Sequence, residues 1–288
     1  MASLWMLVAG FMFACMGVLV KLAAVFFSNT ELVFYRSLVG VVTTFLVMRA
    51  YGMPLMTEHW KNHCWRGLFG LGGVLLFFYC ILQLPLATAI SLNNTWPLFL
   101  AFLAMILLKE EFSWPLAGAL VVGFIGVIFL LRPTLMEGQW YLALVGIGSG
   151  LFAGIAHFHV RQLSELGESD WLTVFYFTLV CTVATGLWLT FTAFSPVSLQ
   201  SLTLALGIGV TATLAQLAIS RAHRGSNILI VGVLSYSSVL FAGLIDLFFW
   251  DARLPVSAWA GMGLIILGGL LSIRGIPVRN SSIVTLDD

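Results

Sequence analysis

Ten apolar stretches follow one another along this 288-residue chain and leave little between them. They fall at about residues 3–27, 31–49, 67–84, 87–108, 114–131, 139–160, 171–193, 199–220, 226–249 and 256–274. A helix rising about 1.5 Å per residue needs roughly 20 apolar residues to cross about 30 Å of hydrocarbon. Most of the runs have that length. Inside lipid every backbone N–H and C=O must find its partner within the segment, so such runs are predicted to be helices. The ten-residue alternation of an outer-membrane barrel strand is absent. Hydrophobic residues make up 60% of the chain and charged residues 9%, against about 25% charged in a soluble domain. That balance excludes a water-soluble globule, and the predicted fold class is an all-α polytopic membrane protein. The first run is too long for a signal peptide, lacks a basic n-region and continues through Lys21 into Phe26-Phe27 without a small-residue cleavage site. It reads as a retained helix.

The few charges set the orientation. With the N-terminus inside, the inner segments hold Arg49, Lys61, Arg66, Lys109, Arg161, Arg221, Arg224, Arg274 and Arg279, and the outer loops only Arg132 and Arg253. Lys21 and Arg36, within spans, complete the 13 basic residues. This bias follows the positive-inside rule and predicts both termini in the cytoplasm. The longest connection, about 50–66, is then cytoplasmic. Four cysteines (Cys15, Cys64, Cys80, Cys181) show neither a disulfide framework nor a metal-ligand spacing, and no cofactor is expected.

A shift of 140 aligns the two halves. Lys21 falls on Arg161, Leu32-Val33-Phe34-Tyr35 on Leu172-Thr173-Val174-Phe175, Trp96 on Tyr236, Glu111 on Asp251 and Pro115 on Pro255. The cluster Asn93-Asn94-Thr95-Trp96 overlies Val233-Leu234-Ser235-Tyr236. The acid-then-proline match carries most of the weight, since matched Leu and Val count for little. The expected division is a first repeat at 1–131, a second at 139–274 and a cytoplasmic tail at 275–288. Five spans per half make the repeats antiparallel, an architecture that commonly binds substrate near the membrane midplane.

A hairpin reading Lys21 … Glu31-Leu-Val-Phe-Tyr-Arg36, an acid closing span 4 (Glu110 or Glu111) and glycine-rich spans 5 (Gly118, Gly123, Gly126) and 10 (Gly261, Gly263, Gly268, Gly269) are similar to the drug/metabolite transporter superfamily, EamA branch. The resemblance implies a ten-helix carrier of the bacterial inner membrane. Spans 1–4 and 6–9 would surround a cavity, with spans 5 and 10 outside as packing or dimer-contact helices. It further implies export of amino acids or other small metabolites, or in some members uptake of vitamins or nucleotide-like compounds. One departure is His157, which stands where the shift matches Gly17.

Several side chains are candidates for substrate contact. Lys21 and Arg36 lie about seven residues before and after the first outer turn, hence at one depth. Two cations at membrane depth suit a carboxylate or phosphate, with arginine offering a two-pronged fork, or else they snorkel or pair with Glu31 and Asp246. Tyr79 and Gln83 share a face of span 3. Asn93, Asn94 and Trp96 crowd span 4 just before Pro97, which removes a backbone donor and bends the helix. Gln216 and Tyr236 come from the second half, with Ser235, Ser237 and Ser238. Such groups either line a cavity or bind helices together. Asp246 and His157 are candidates for proton coupling, Asp246 being equally suited to a counter-ion role.

The sequence therefore points to a secondary transporter exporting a small polar metabolite with an acidic group, an amino acid or an amino-acid-derived compound such as a metallophore, by alternating access. The alternative is an uptake carrier for a vitamin or nucleotide-like metabolite. An intramembrane enzyme ranks lower, because neither Gly-x-Ser-x-Gly nor His-Glu-x-x-His occurs. Expected partners are the small-molecule substrate and membrane lipid, not nucleic acid, with the chain a monomer or a homodimer.

Overall fold

The computed structural model describes residues 2–103, 106, 114–131, 140–192, 194–250 and 256–274. Glu110, Glu111, Asp251, Pro255, Arg132 and Arg253 and the tail 275–288 lie outside the described residues. A single 3-10 turn leads into α1 (Trp5–Ala23), followed by α2 (Asn29–Ala50), α3 (Trp60–Gln83), α4 (Leu86–Asn93), α5 (Trp96–Leu103) and α6 (Trp114–Leu131). The remainder forms α7 (Trp140–Glu165), α8 (Asp170–Leu189), α9 (Leu199–His223), α10 (Ile228–Ser235), α11 (Ser237–Trp250) and α12 (Val256–Arg274). Among the described residues eight helical spans are long and apolar enough to cross a membrane, α4–α5 and α10–α11 each counting as one. Shorter apolar stretches at Ala117–Phe129 and Trp259–Gly268, in α6 and α12, are the fifth and tenth predicted spans. The chain is a multi-pass, all-α membrane protein.

Local chemistry fixes where helices start. Ser28 and Glu31 form a reciprocal cap on α2: the Ser28 N–H donates to Glu31 Oε2 at 2.8 Å, and the Glu31 N–H to Ser28 Oγ at 3.4 Å. The Ser169 hydroxyl accepts from the Leu172 N–H at 3.0 Å to open α8, and Asn227 Oδ1 accepts from the Leu229 N–H at 2.8 Å to open α10. Gly225, at φ +61°, makes the turn between α9 and α10 in a conformation that costs other residues a clash at Cβ.

Predicted spans 4 and 9 are each broken in the middle. At Asn94-Thr95 the ladder tightens to i−3 bonds, Thr95 N–H to Leu92 at 3.3 Å and Leu98 N–H to Thr95 at 3.1 Å, ahead of the donorless Pro97. At Tyr236 the same i−3 pattern appears without a proline, Tyr236 N–H to Val233 at 3.2 Å and Val239 N–H to Tyr236 at 3.0 Å. A second difference from expectation is the start of α3. It begins at Trp60 rather than 67, so the long connection shortens to 51–59 and Arg66 lies inside a helix, not in a loop. The polar run Lys61, His63, Arg66 reads as loop by hydropathy, but His63 stacks on half-buried Tyr176 and Arg66 bonds buried Gln216 within helical backbone.

The helices pair in a recurring way: α1 on α9, α3 on α7, α2 on α8 and α6 on α12, while α5 meets α7 and α11 meets α1. Two glycines let the breaks approach their neighbours. A Cβ at Gly150 of α7 would strike Thr95 Oγ1 and come within 3.0 Å of the Asn93 carbonyl. A Cβ at Gly10 of α1 would come within 2.7 Å of Ser237 Oγ and 3.0 Å of the Ser238 nitrogen. The end of the bundle holding the end of α1 and the starts of α2 and α4 is packed with Val20, Ala23, Phe27, Val33, Ile81 and Leu86, all buried. A smaller cluster around Met6, Trp96, Ile219 and Ile230 packs the opposite end. Trp60, Trp140, Tyr141 and Trp259 stand exposed near helix ends, where aromatic anchors sit in a bilayer.

Candidate functional site

Between the two apolar clusters the broken helices leave a cavity of about 90 Å³. Its polar lining comes from Arg66 of α3, Asn93 and Asn94 at the first break, His157 of α7, Gln216 of α9, and Ser235 and Ser238 at the second break. Trp96, Phe13, Phe77 and Phe177 supply aromatic walls.

The two breaks are tied across this space. Asn94 Nδ2 donates to the Ile90 carbonyl at 2.8 Å and to Ser238 Oγ at 2.9 Å, and the Ser238 hydroxyl donates to the Ser235 carbonyl at 2.8 Å. Asn93 Nδ2 donates to Ser149 Oγ at 3.0 Å, which fixes the first break against α7. A buried amide left unsatisfied costs about 1–3 kcal/mol, so these bonds hold the cavity wall in one geometry.

His157 stacks flat on Trp96, with ring centroids 3.8 Å apart and 4° between planes. Its Nδ1 lies 3.0 Å from Nε2 of His223, the last residue of α9. One of the two nitrogens must carry the hydrogen and the other the lone pair, so the contact exists only while at least one ring is neutral. His159 points elsewhere, with its Nδ1 3.0 Å from Gln162 Oε1, as two residues of helical separation require.

Arg66 is the group that sequence reasoning placed elsewhere. It is buried on the cavity wall, its Nη2 donates to Gln216 Oε1 at 2.7 Å, and its guanidinium lies 4.0 Å from the Phe177 ring centre. A signal was present in the sequence. Arg66, Gly70, Gly73, Val74 and Phe77 recur at helical spacing, and all five line the cavity. Gly70 leaves room for this: a Cβ there would crowd Arg66 Nη1 and the edge of Phe177, so glycine lets the side chain fold back over that ring.

Of the predicted site residues, Asn93, Asn94, Trp96, Gln216 and His157 come together at the cavity. Arg36 is buried but does not line it, its guanidinium 5.4 Å from the same Phe177 ring and 6.0 Å from that of Phe78. Glu31, one of the counter-ions considered for it, instead accepts from Ser195 N–H at 2.6 Å and Ser195 Oγ at 3.0 Å. Tyr79 and Gln83 do not line the cavity, and both are exposed on the outer face of α3. Tyr236 turns away from it, its ring filling the space that Gly123 leaves and lying 6.5 Å from Phe124. Lys21 and Asp246 lie at the far end. Lys21 Nζ donates to the Leu84 carbonyl at 3.4 Å, Asp246 Oδ2 accepts from the Ala87 N–H at 3.2 Å, and the two charges attract each other.

A polar cavity at paired helix breaks, buried in an all-helical membrane bundle, suits a solute carrier. The EamA-like transporter family model matches residues 1–132 and again 140–274. The chain belongs to the EamA-like transporter family. It is 30% identical to the pseudopaline exporter of Pseudomonas aeruginosa over 90% of this chain and 91% of that protein. An uncharacterized transporter of Helicobacter pylori is 27% identical over 92% of both chains. A riboflavin transporter of Vibrio cholerae is 25% identical over 92% of this chain and 90% of that one. A protein of known crystal structure superposes with a TM-score of 0.78 at 15% identity, over 95% of this chain and 96% of the other, and shares the fold. This member of the family is a membrane transporter of small molecules, not an enzyme.

Proposed function

We propose that this EamA-family protein is a secondary exporter of the bacterial inner membrane that moves a small polar metabolite bearing an acidic group by alternating access. The observation that carries the reading is the buried cavity itself, polar where two broken helices meet and sealed towards one end by Val20, Ala23, Phe27, Val33, Ile81 and Leu86. Broken helices are where transporters expose backbone and side-chain polar groups to a solute at membrane depth. With both termini in the cytoplasm, as the basic residues favour, the sealed end faces outward. The similarity to an exporter of pseudopaline supports the outward direction.

Two inverted halves at 1–131 and 139–274 are part of the same proposal. They are supported by the two separate family matches and by the way helix pairs exchange under the 140-residue shift: α1 on α9 becomes α7 on α3. The similarity to riboflavin transporters favours a second reading, uptake of a vitamin. Purified protein in proteoliposomes separates these readings. Saturable flux that is inhibited by excess substrate identifies a carrier, and extracellular accumulation in overproducing cells identifies export. Flux that never saturates would remove the carrier reading.

A further inference from the structure

Among the described residues, no carboxylate neutralises the positive charge buried beside the cavity. Arg66 and Arg36 are 5% and 2% exposed, and neither pairs with a carboxylate among the described residues. The Nε and Nη1 groups of both lack a hydrogen-bond partner. Both guanidiniums face the Phe177 ring, at 4.0 Å and 5.4 Å, and they repel each other. The cation–π contact with Phe177 and the single bond from Arg66 to Gln216 offset only part of the cost of burial. Burying an ion away from water costs more than such partial contacts return, and two repelling ions cost more still. The shortfall is anionic in kind. No described residue lining the cavity is a carboxylate; the polar remainder is amides, hydroxyls and His157.

We infer that the cavity selects a net-negative oxyanion and that Arg66 docks it. On this assignment, which rests on the cavity being the transport site, a carboxylate or phosphate oxygen takes up the unpartnered Arg66 N–H groups and Gln216 turns to the neutral part of the solute. Arg36 does not touch the solute. It adds a second positive charge across Phe177, so a compound with more acidic groups than amines is carried in preference to a zwitterionic amino acid. The ammonium of a zwitterion would meet no described counter-charge in the cavity, whereas Asn93, Asn94, Ser235 and Ser238 can hold uncharged polar groups.

Untargeted mass spectrometry of the medium tests this, comparing cells that lack the protein with cells overproducing wild type, Arg66→Gln, Arg66→Lys or Arg36→Met at matched membrane levels. Wild type is expected to release compounds of net negative charge at neutral pH, and phosphatase treatment separates phosphates from carboxylates. Arg66→Gln should lower their release by about tenfold or more, the factor that a lost charged hydrogen bond of 1.5–3 kcal/mol implies. Arg66→Lys should retain part of the activity, and Arg36→Met should shift release towards singly charged compounds. No difference between wild type and null defeats the carrier reading itself. Release of only neutral, zwitterionic or cationic compounds overturns the anion assignment and leaves the carrier standing, as does undiminished release by Arg66→Gln. Should Arg66→Gln fail to reach the membrane, the methyl ester of the released acid decides on wild-type protein: competition equal to that of the free acid overturns the assignment.

Discussion

Lys21 and Arg161 show how a residue's role follows from its neighbours more than from its charge. Lys21 holds the Leu84 carbonyl at the α3–α4 junction, and Arg161 donates to the His223 and Ser226 carbonyls, at 2.9 and 2.8 Å, at the α9–α10 junction. The 140-residue shift that matches the two cations also matches the two junctions they bind. The matching was legible in the sequence; the carbonyl partners were not, because nothing local in a chain identifies a helix end 60 residues away. Arg66 was hidden for the opposite reason, since neighbouring Lys61 and His63 made it look like a loop charge. Two predictions belong at this scale. Asp246→Asn keeps an oxygen for the Ala87 N–H but removes the charge beside Lys21. If Asp246 carries the coupling proton, acid outside should accelerate wild-type flux and leave the variant unresponsive; a wild-type pH profile in the variant would make Asp246 a structural tie only. Tyr79→Phe and Gln83→Ala, on the exposed face of α3, should leave flux within about twofold, the scale of a 0.5 kcal/mol surface effect, when measured in proteoliposomes.

At the scale of elements, the two helix breaks were unequally visible. Asn93-Asn94-Thr95 before Pro97 marks the first, because proline withholds the donor that residue 93 would use. The second carries polar Ser235-Tyr236-Ser237-Ser238 but no proline, and only the i−3 bonds around Tyr236 reveal the change. Glycine on the facing helix is the more general sign: Gly10 abuts the second break and Gly150 the first, and 10 + 140 = 150. A methyl at Gly150 must displace Thr95 or the Asn93 carbonyl. Gly150→Ala should therefore cost about 1–3 kcal/mol, the range of an overpacked core, read as a lower melting temperature in detergent. Gly118→Ala is the control. No atom lies within 4 Å of its Cβ position, so its melting temperature should stay at or slightly above wild type.

For the whole molecule, the cavity's position decides what must move. The packed end between Val20 and Leu86 gives a solute in the cavity no exit. At the other end, Arg224 Nε donates to Asp170 Oδ1 at 2.8 Å and Arg224 Nη2 to the Glu168 carbonyl at 2.9 Å, while Tyr176 donates to the Leu55 carbonyl at 3.1 Å. These contacts join the connection after α2 to α8, and the end of α9 to the start of α8 and the turn before it. They are largely exposed or half-buried, and exposed ion pairs contribute at most about 1 kcal/mol. Apolar burial, at about 25 cal/mol per Å², holds both ends, and the end with the larger buried cluster opens at greater cost. A carrier built this way rests with its packed end shut and needs bound substrate to stabilise the alternative. In a background with Cys15, Cys64, Cys80 and Cys181 replaced, Val20→Cys should resist a membrane-impermeant maleimide applied from outside. During active export the same cysteine should become reactive, because the solute leaves past it. Labelling at one constant rate with and without transport would mean that this end does not gate the pathway.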